Sequence, residues 1–365
     1  MTESDDRPPF GRFFLPGPTD VRPEVLRAMT RPMMPHRGKE FEALFARLQE
    51  GLRLVFRTRR PVLVSSSSAT GLMEAAVRCA PPGAVLALVN GAFSARFAAI
   101  ARACGRDTET LEAPLGRAVA LEAVEERLRA RRFAAVTVVH SETSTGALTD
   151  VRAATDLARA HGAACLVDSV TGVGGIPVET DAWGLDFVLT GSQKALALPP
   201  GLAFAVASEE YMRTAALAPS RGLYFDLVEF EAFARKHQTP NTPALPLLYA
   251  LDEQLGAIMR EGMEARWARH AAMAAEAASW VEELGDEFGL LPPRGERAET
   301  VSTVTLPERL RGGEVAAAVA RRGWTIGGGY GPLRDATIRI GHMGDHTVAG
   351  LRDCLAVCAD VLREG

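Results

Sequence analysis

Residues 163–194 read AACLVDSVTGVGGIPVETDAWGLDFVLTGSQK. Two short apolar runs, Ala163–Val167 and Phe187–Leu189, are each closed by polar residues: Asp168-Ser169-Val170 after the first, Thr190-Gly191-Ser192-Gln193-Lys194 after the second. Runs of this length bounded by turn residues predict buried strands. A carboxylate ending a buried strand is costly unless it is paired. A lysine in a desolvated setting has its charged form disfavoured, and its amine becomes available to attack a carbonyl.

Working outward, further strand-like runs fall at Pro61–Val64, Ala84–Val89, Ala134–Val139 and Leu202–Ala207. Helical patterns lie between them at Gly71–Cys79, Ala95–Ala103, Leu121–Arg131 and Val151–His161. This alternation predicts an α/β fold with a mostly parallel central sheet and helices on both faces. Beyond residue 210 the chain becomes loop-rich, with Pro240, Pro243 and Pro246, and a single long helix is expected from about Leu247 to Leu284, bridging two domains. Strands at Thr300–Leu306 and Thr337–Ile340 and helices at Glu314–Arg322 and Val348–Arg363 predict a smaller C-terminal α+β unit. The expected division is an N-terminal arm (1–20), extended by Pro16 and Pro18, a large domain (21–255) and a small domain (256–365).

In open parallel sheets, ligands bind beyond the carboxyl ends of the strands. After Val64 comes Ser65-Ser66-Ser67-Ser68-Ala69-Thr70-Gly71, a hydroxyl-rich turn opening a helix. It reads either as an N-cap or as a phosphate cradle. After Val89 comes Asn90-Gly91-Ala92-Phe93, whose ring reads either as core or as cover for a flat ligand. After Val139 comes His140-Ser141-Glu142-Thr143-Ser144-Thr145-Gly146.

Of 41 basic residues only Lys39, Lys194 and Lys236 are lysine. Arginine keeps its proton at physiological pH, so a position that needs a neutral amine must be lysine. Lys39 and Lys236 lie in charged contexts and read as solvated surface, which leaves Lys194, at the end of a predicted core strand. Lysine, aspartate 26 positions earlier, an aromatic ring and a phosphate turn at one sheet edge together suit pyridoxal 5'-phosphate. Its aldehyde needs the amine, its ring nitrogen an anion, its face a stacking partner and its phosphate a helix N-terminus.

The ordered series LPGPTDVRPEVLRAM, SETSTG, LVDSVTGVGG, GSQKAL, TPNTPALPLLYAL and IRIGHMG resembles the class V aminotransferases of fold type I, in their alanine/serine–glyoxylate branch. The resemblance spans nearly the whole chain. It implies that Lys194 is the catalytic lysine that joins the cofactor, Asp168 pairs with the ring nitrogen, Phe93 stacks and Thr143 hydrogen-bonds near the ring hydroxyl. It further implies that Ser68, Ala69, Thr70 and Gln193 surround the phosphate. In a homodimer, Thr239 and Thr242 would reach the neighbouring subunit's phosphate, while Gly17 and Arg339 would bind substrate. Relatives often carry glycine at position 69 and histidine at 70, and some carry tyrosine at 239, so this chain departs from the pattern around the phosphate. The implied activity is transfer of an amino group between a small amino acid (alanine or serine) and a small 2-oxo acid (glyoxylate or pyruvate).

Other readings carry specific features. A cysteine desulfurase-like lyase needs a mobile cysteine, and that group usually has histidine where Gln193 precedes the lysine. A phosphonate or phosphorylated substrate would use Arg37 or Arg221. A nucleotide-dependent oxidoreductase is suggested by Gly172-Val173-Gly174-Gly175 and by Gly327-Gly328-Gly329-Tyr330-Gly331, but neither has strand–turn–helix context. A non-catalytic binding protein would not need intact Lys194, Asp168 and Arg339. His342 and His346 have helical metal-ligand spacing, but Gly341 and Gly344 favour a turn, so no metal site is expected.

Composition narrows the classes further. At 47% hydrophobic and 24% charged the chain supports a large packed core. A net charge of -4 with mixed signs gives no basic stripe for nucleic acid. The start lacks a signal-peptide pattern and no apolar run approaches the ~18 residues of a membrane span, so a cytoplasmic protein is expected. The five cysteines contain no C-x-x-C pair and read as free thiols.

Overall fold

The computed structural model describes residues 10–365; the first nine residues of the predicted arm lie outside the described residues. The arm supplies strand β1 (Phe13–Phe14), followed by helices α1 (Pro23–Ala28) and α2 (Lys39–Phe56). Next come β2 (Leu63–Ser65), α3 (Ala69–Cys79), β3 (Val85–Val89), α4 (Ala92–Ala103), β4 (Thr108–Glu112), α5 (Leu121–Ala130) and β5 (Ala135–Val139). A short hairpin, β6 (Ser141–Glu142) and β7 (Ala147–Leu148), precedes α6 (Val151–Ala160), β8 (Ala164–Asp168), β9 (Phe187–Gly191) and β10 (Ala203–Ala207). Helices α7 (Glu209–Leu217), α8 (Leu227–Ala234), α9 (Leu245–Glu261) and α10 (Met263–Leu284) lead to β11 (Gly289–Leu290) and β12 (Val301–Thr305). The chain closes with α11 (Gly312–Arg321), β13 (Thr325–Gly328), β14 (Thr337–Gly341) and α12 (Val348–Glu364).

The large sheet runs β2-β10-β9-β8-β5-β3-β4. Strands β4, β3, β5, β8 and β9 are parallel, and β10 is antiparallel to both β9 and β2. Strands β3, β5, β8 and β9 are almost wholly buried, which accounts for their largely apolar sequences. One apolar cluster, including Phe45, Val138, Val167 and Tyr249, packs on one face; another, including Leu72, Phe97, Leu166 and Tyr211, packs on the other. Strand β4 is missing from the sequence reading because Thr108-Glu109-Thr110-Leu111-Glu112 is a half-exposed edge with no apolar run.

The second sheet runs β1-β13-β14-β12-β11 and buries its own core of Phe14, Val304, Ile338, Ile340, Leu351 and Leu355. The N-terminal arm therefore belongs to this sheet: β1 pairs in parallel with β13. The single bridging helix expected over Leu247–Leu284 is two helices. Gly262, with φ +81, ends α9 and starts α10, a backbone conformation that a helix cannot continue through. Among the described residues, no helix is long and apolar enough to cross a membrane.

The two sheets are tied by one buried cation on α10. Arg266 is 1% exposed and donates to the carbonyls of Gly174 (3.0 Å) and Ala195 (2.7 Å) and to the carboxylates of Glu261 (2.8 Å) and Asp345 (3.0 Å). Burial raises the Asp345 carboxyl, but Arg266, Gln254 and Arg22 outweigh it and hold the group below its ordinary range. Replacing Arg266 with methionine strands these acceptors and is expected to cost about 3–5 kcal/mol. Urea denaturation of the purified variant checks this, and a midpoint equal to wild type would refute it.

Candidate active site

The carboxyl ends of the parallel strands converge as the alternation requires. Asp168, the last residue of β8, lies opposite Val139 of β5 and Leu189 of β9. Lys194 follows β9 by three residues, in a turn closed by Ala197 N–H donating to the Lys194 carbonyl at 2.8 Å. One cavity is lined by Ser68, Ala69, Thr70, Phe93, Thr143, Asp168, Gln193 and Lys194, with Met73, Arg96, Val139, Ser141 and Val170. Every residue that the resemblance places around a cofactor, apart from Thr239 and Thr242, therefore meets in one place.

Burial dominates the electrostatics. It pushes the Asp168 carboxyl up to about 7 against the opposing Val170 N–H, which donates to Oδ1 at 2.8 Å. Burial, reinforced by the Arg339 guanidinium, pushes the Lys194 amine down to about 8. The amine donates to the Pro16 carbonyl, and Gly17, at φ +115, lies so close that a Cβ there would overlap the Lys194 side chain. The N-terminal arm is thus folded across the lysine, which brings Gly17 to the reactive amine. Thr19 holds the crossing in place, its N–H donating to the Gln193 carbonyl (3.0 Å) and its hydroxyl to the Lys194 carbonyl (3.2 Å).

Glu142 is equally buried, but its donors differ. Its carboxylate accepts from the N–H of Phe93 (3.1 Å), Ser94 (2.9 Å) and Ser144 (3.1 Å) and from the hydroxyls of Ser94 and Ser144. It caps the N-terminus of α4 and so fixes where the Phe93 ring stands. The Lys194 Nζ lies 5.9 Å from the centre of that ring. Arg339, on β14, donates from Nε to the Gly328 carbonyl (2.9 Å) and from Nη1 to the Thr143 carbonyl (3.1 Å), leaving Nη2 free of these bonds.

The cavity fits pyridoxal phosphate on three observations. Ser68 opens α3 without a side-chain cap, so its first turn offers N–H groups to an anion. Among the described residues, one oxygen of the buried Asp168 takes no hydrogen bond, and it suits a protonated ring nitrogen. The Ser141 hydroxyl is buried without a protein partner at the cavity wall.

Thr239 and Thr242 do not join this cavity. They line a separate one with Ser66, Tyr224 and Pro240. Arg37 and Arg221, the alternative phosphate binders, are engaged elsewhere: Arg37 donates to the Pro240 carbonyl, and Arg221 pairs with Asp226 at 2.9 Å. His342 and His346 are drawn into the protein: His342 Nε2 shares a hydrogen bond with the Ser302 hydroxyl, and His346 donates from Nε2 to the Phe13 carbonyl. Among the described residues no cluster is suited to a metal. Ser141, Glu142, Arg96 and Pro16 are site residues to which sequence reasoning gave no role; Ser141, Glu142 and Pro16 lay inside quoted motifs, and Arg96 did not.

The family described as aminotransferase class-V matches residues 16–331. A serine–glyoxylate aminotransferase of Methylorubrum extorquens is 33% identical, covering 96% of this chain and 90% of that protein. An L-aspartate–glyoxylate aminotransferase of Paracoccus denitrificans is 31% identical, covering 95% and 91%. The solved structure of an alanine–glyoxylate aminotransferase from Nostoc superimposes with a TM-score of 0.91 at 31% identity, covering 96% and 95% of the two chains.

Because folding raises the Asp168 proton affinity, the stability this group contributes is fully present below about pH 4 and is lost as pH rises through about 7. Without cofactor, Asp168→Asn should flatten the fall of melting temperature between acid and neutral pH. Superimposable melting profiles for the two proteins would show that Asp168 is not the responsible group.

Proposed function

The chain belongs to the class V aminotransferases, and from that premise we propose that it exchanges an amino group between alanine or serine and glyoxylate or pyruvate, using pyridoxal phosphate at the Lys194 cavity. The observation that carries the proposal is the buried Lys194 amine, lowered to about 8, sharing a cavity with the buried Asp168 carboxyl. When bound, the cofactor supplies an aldehyde that takes the substrate amine and a ring that draws electrons from the α-carbon.

Ser68, Ala69, Thr70 and Gln193 would hold the phosphate, Phe93 would cover the ring, Asp168 would pair with its nitrogen and Thr143 would bond near its hydroxyl. Arg339 binds the substrate α-carboxylate through its free guanidinium edge, a charge-assisted contact. Lys194, with an appreciable neutral fraction near pH 8, takes the proton from the substrate α-carbon at Nζ. It would pass that proton to the cofactor's aldehyde carbon, after which water releases the first 2-oxo acid with the amino group left behind, and the second 2-oxo acid retraces the steps. Arg339 serves both halves because each substrate carries a carboxylate.

We assign Thr239 and Thr242 to a partner's site in a homodimer. Their place in a separate cavity supports this, as does the exposure of Leu217 (84%) and Leu223 (91%). Five free cysteines support a reducing, cytoplasmic setting.

Rapid mixing of the yellow holoprotein with L-alanine or L-serine should bleach its aldehyde-form absorbance in a single turnover, with glyoxylate restoring it. Borohydride should fix the chromophore on Lys194, and Lys194→Ala should lower turnover at least about 1000-fold. A colourless protein that pyridoxal phosphate leaves unmodified would overturn the proposal. Arg339→Ala is expected to raise KM for both acids by about 10- to 100-fold, read from steady-state kinetics.

A further inference from the structure

Tyr330 lies just beyond β13, inside the glycine-rich stretch that the proposed chemistry does not otherwise use. Its backbone is set by a turn in which the Leu333 N–H donates to the Tyr330 carbonyl at 3.1 Å. Its side chain leaves the second sheet and meets Phe93 of α4, a residue of the cavity wall. The ring centre stands 5.9 Å from that of Phe93, tilted by 31°, and the Arg339 guanidinium carbon lies 5.4 Å from it. The ring remains 38% exposed.

These contacts place Tyr330 beside both Arg339 and Phe93. A substrate with its carboxylate on Arg339 and its α-carbon within reach of Lys194 has this ring beside it, next to both the guanidinium and Phe93. A half-exposed aromatic ring touching both the carboxylate clamp and the stacking ring is a wall rather than core filling. We propose that Tyr330 is a specificity-determining residue that limits the length of the substrate side chain and so confines the enzyme to short amino and 2-oxo acids. This inference rests on the proposed transamination for its biological meaning, but its geometry requires only that Arg339 bind a carboxylate.

The competing role is a prop for Arg339, which would affect all substrates alike. Tyr330→Ala and Tyr330→Phe in the holoenzyme separate the two through ratios. With glyoxylate as acceptor, Tyr330→Ala should raise kcat/KM for leucine relative to alanine by at least about tenfold, the usual worth of a removed steric barrier in an apolar pocket. Tyr330→Phe should keep the wild-type ratio.

Calorimetric binding of two unreactive acids, propionate and 4-methylpentanoate, reads the same preference without turnover, and Tyr330→Ala should shift it toward the longer acid by a similar factor. If the ratio shifts in binding while no amino acid is turned over, the transamination proposal falls and the size limit stands. If Tyr330→Ala weakens every acid equally, in binding and in turnover, the size limit is overturned.

Discussion

The guanidinium of Arg266 is the constraint on which the site depends. A buried cation must find acceptors, because the interior offers no water to replace them. Arg266 finds the carbonyl of Ala195, next to Lys194; that of Gly174, in the turn after Asp168; and Asp345, in the loop after the strand bearing Arg339. The lysine, the aspartate's loop and the loop after the strand bearing Arg339 are therefore held by one planar group. His270 extends the link: its Nδ1–H donates to the Arg266 carbonyl at 2.7 Å and its Nε2 accepts the Gly344 N–H at 3.0 Å. That arrangement needs a neutral ring, in keeping with burial holding its proton affinity well below the ordinary value.

Two buried acids show how environment divides structure from chemistry. Glu142 and Asp168 have almost no exposed surface. Glu142 is satisfied by backbone and hydroxyl donors and acts as the cap that aims Phe93. Asp168 has one backbone donor and a raised proton affinity, so it is left wanting a cation. Lys194 stands in the complementary condition, an amine that burial makes reluctant to stay charged. Perturbed groups facing one cavity mark a functional centre, and here each perturbation is of the kind that a charged, flat, aldehyde-bearing ligand would relieve.

Much of this was legible in the sequence because the rule placing ligands at strand ends is topological. Asp168, Lys194, Phe93, Thr143, Gln193 and the Ser68–Thr70 turn needed only correct strands to fall in one cavity. Other parts were not. The polar edge strand β4 has no apolar signal, and the apolar spacing that suggested one helix over Leu247–Leu284 continues on both sides of the break at Gly262. Arg339 and Gly17 came from resemblance, since nothing local distinguishes one arginine among 38 or one glycine among 34. Tyr330 was visible only as part of a glycine-rich stretch.

By itself the sequence determined the sheet, the lysine and the aspartate. Strand period and residue chemistry are local properties, and scarcity of lysine made one position stand out. The tertiary structure alone decided what burial does to those groups, that the N-terminal arm crosses Lys194 through Pro16 and Gly17, and that Tyr330 meets Phe93 across the two sheets. Such effects arise between segments far apart in the chain. Desolvation and contact depend on what the fold brings alongside a residue, and no neighbour in sequence records that.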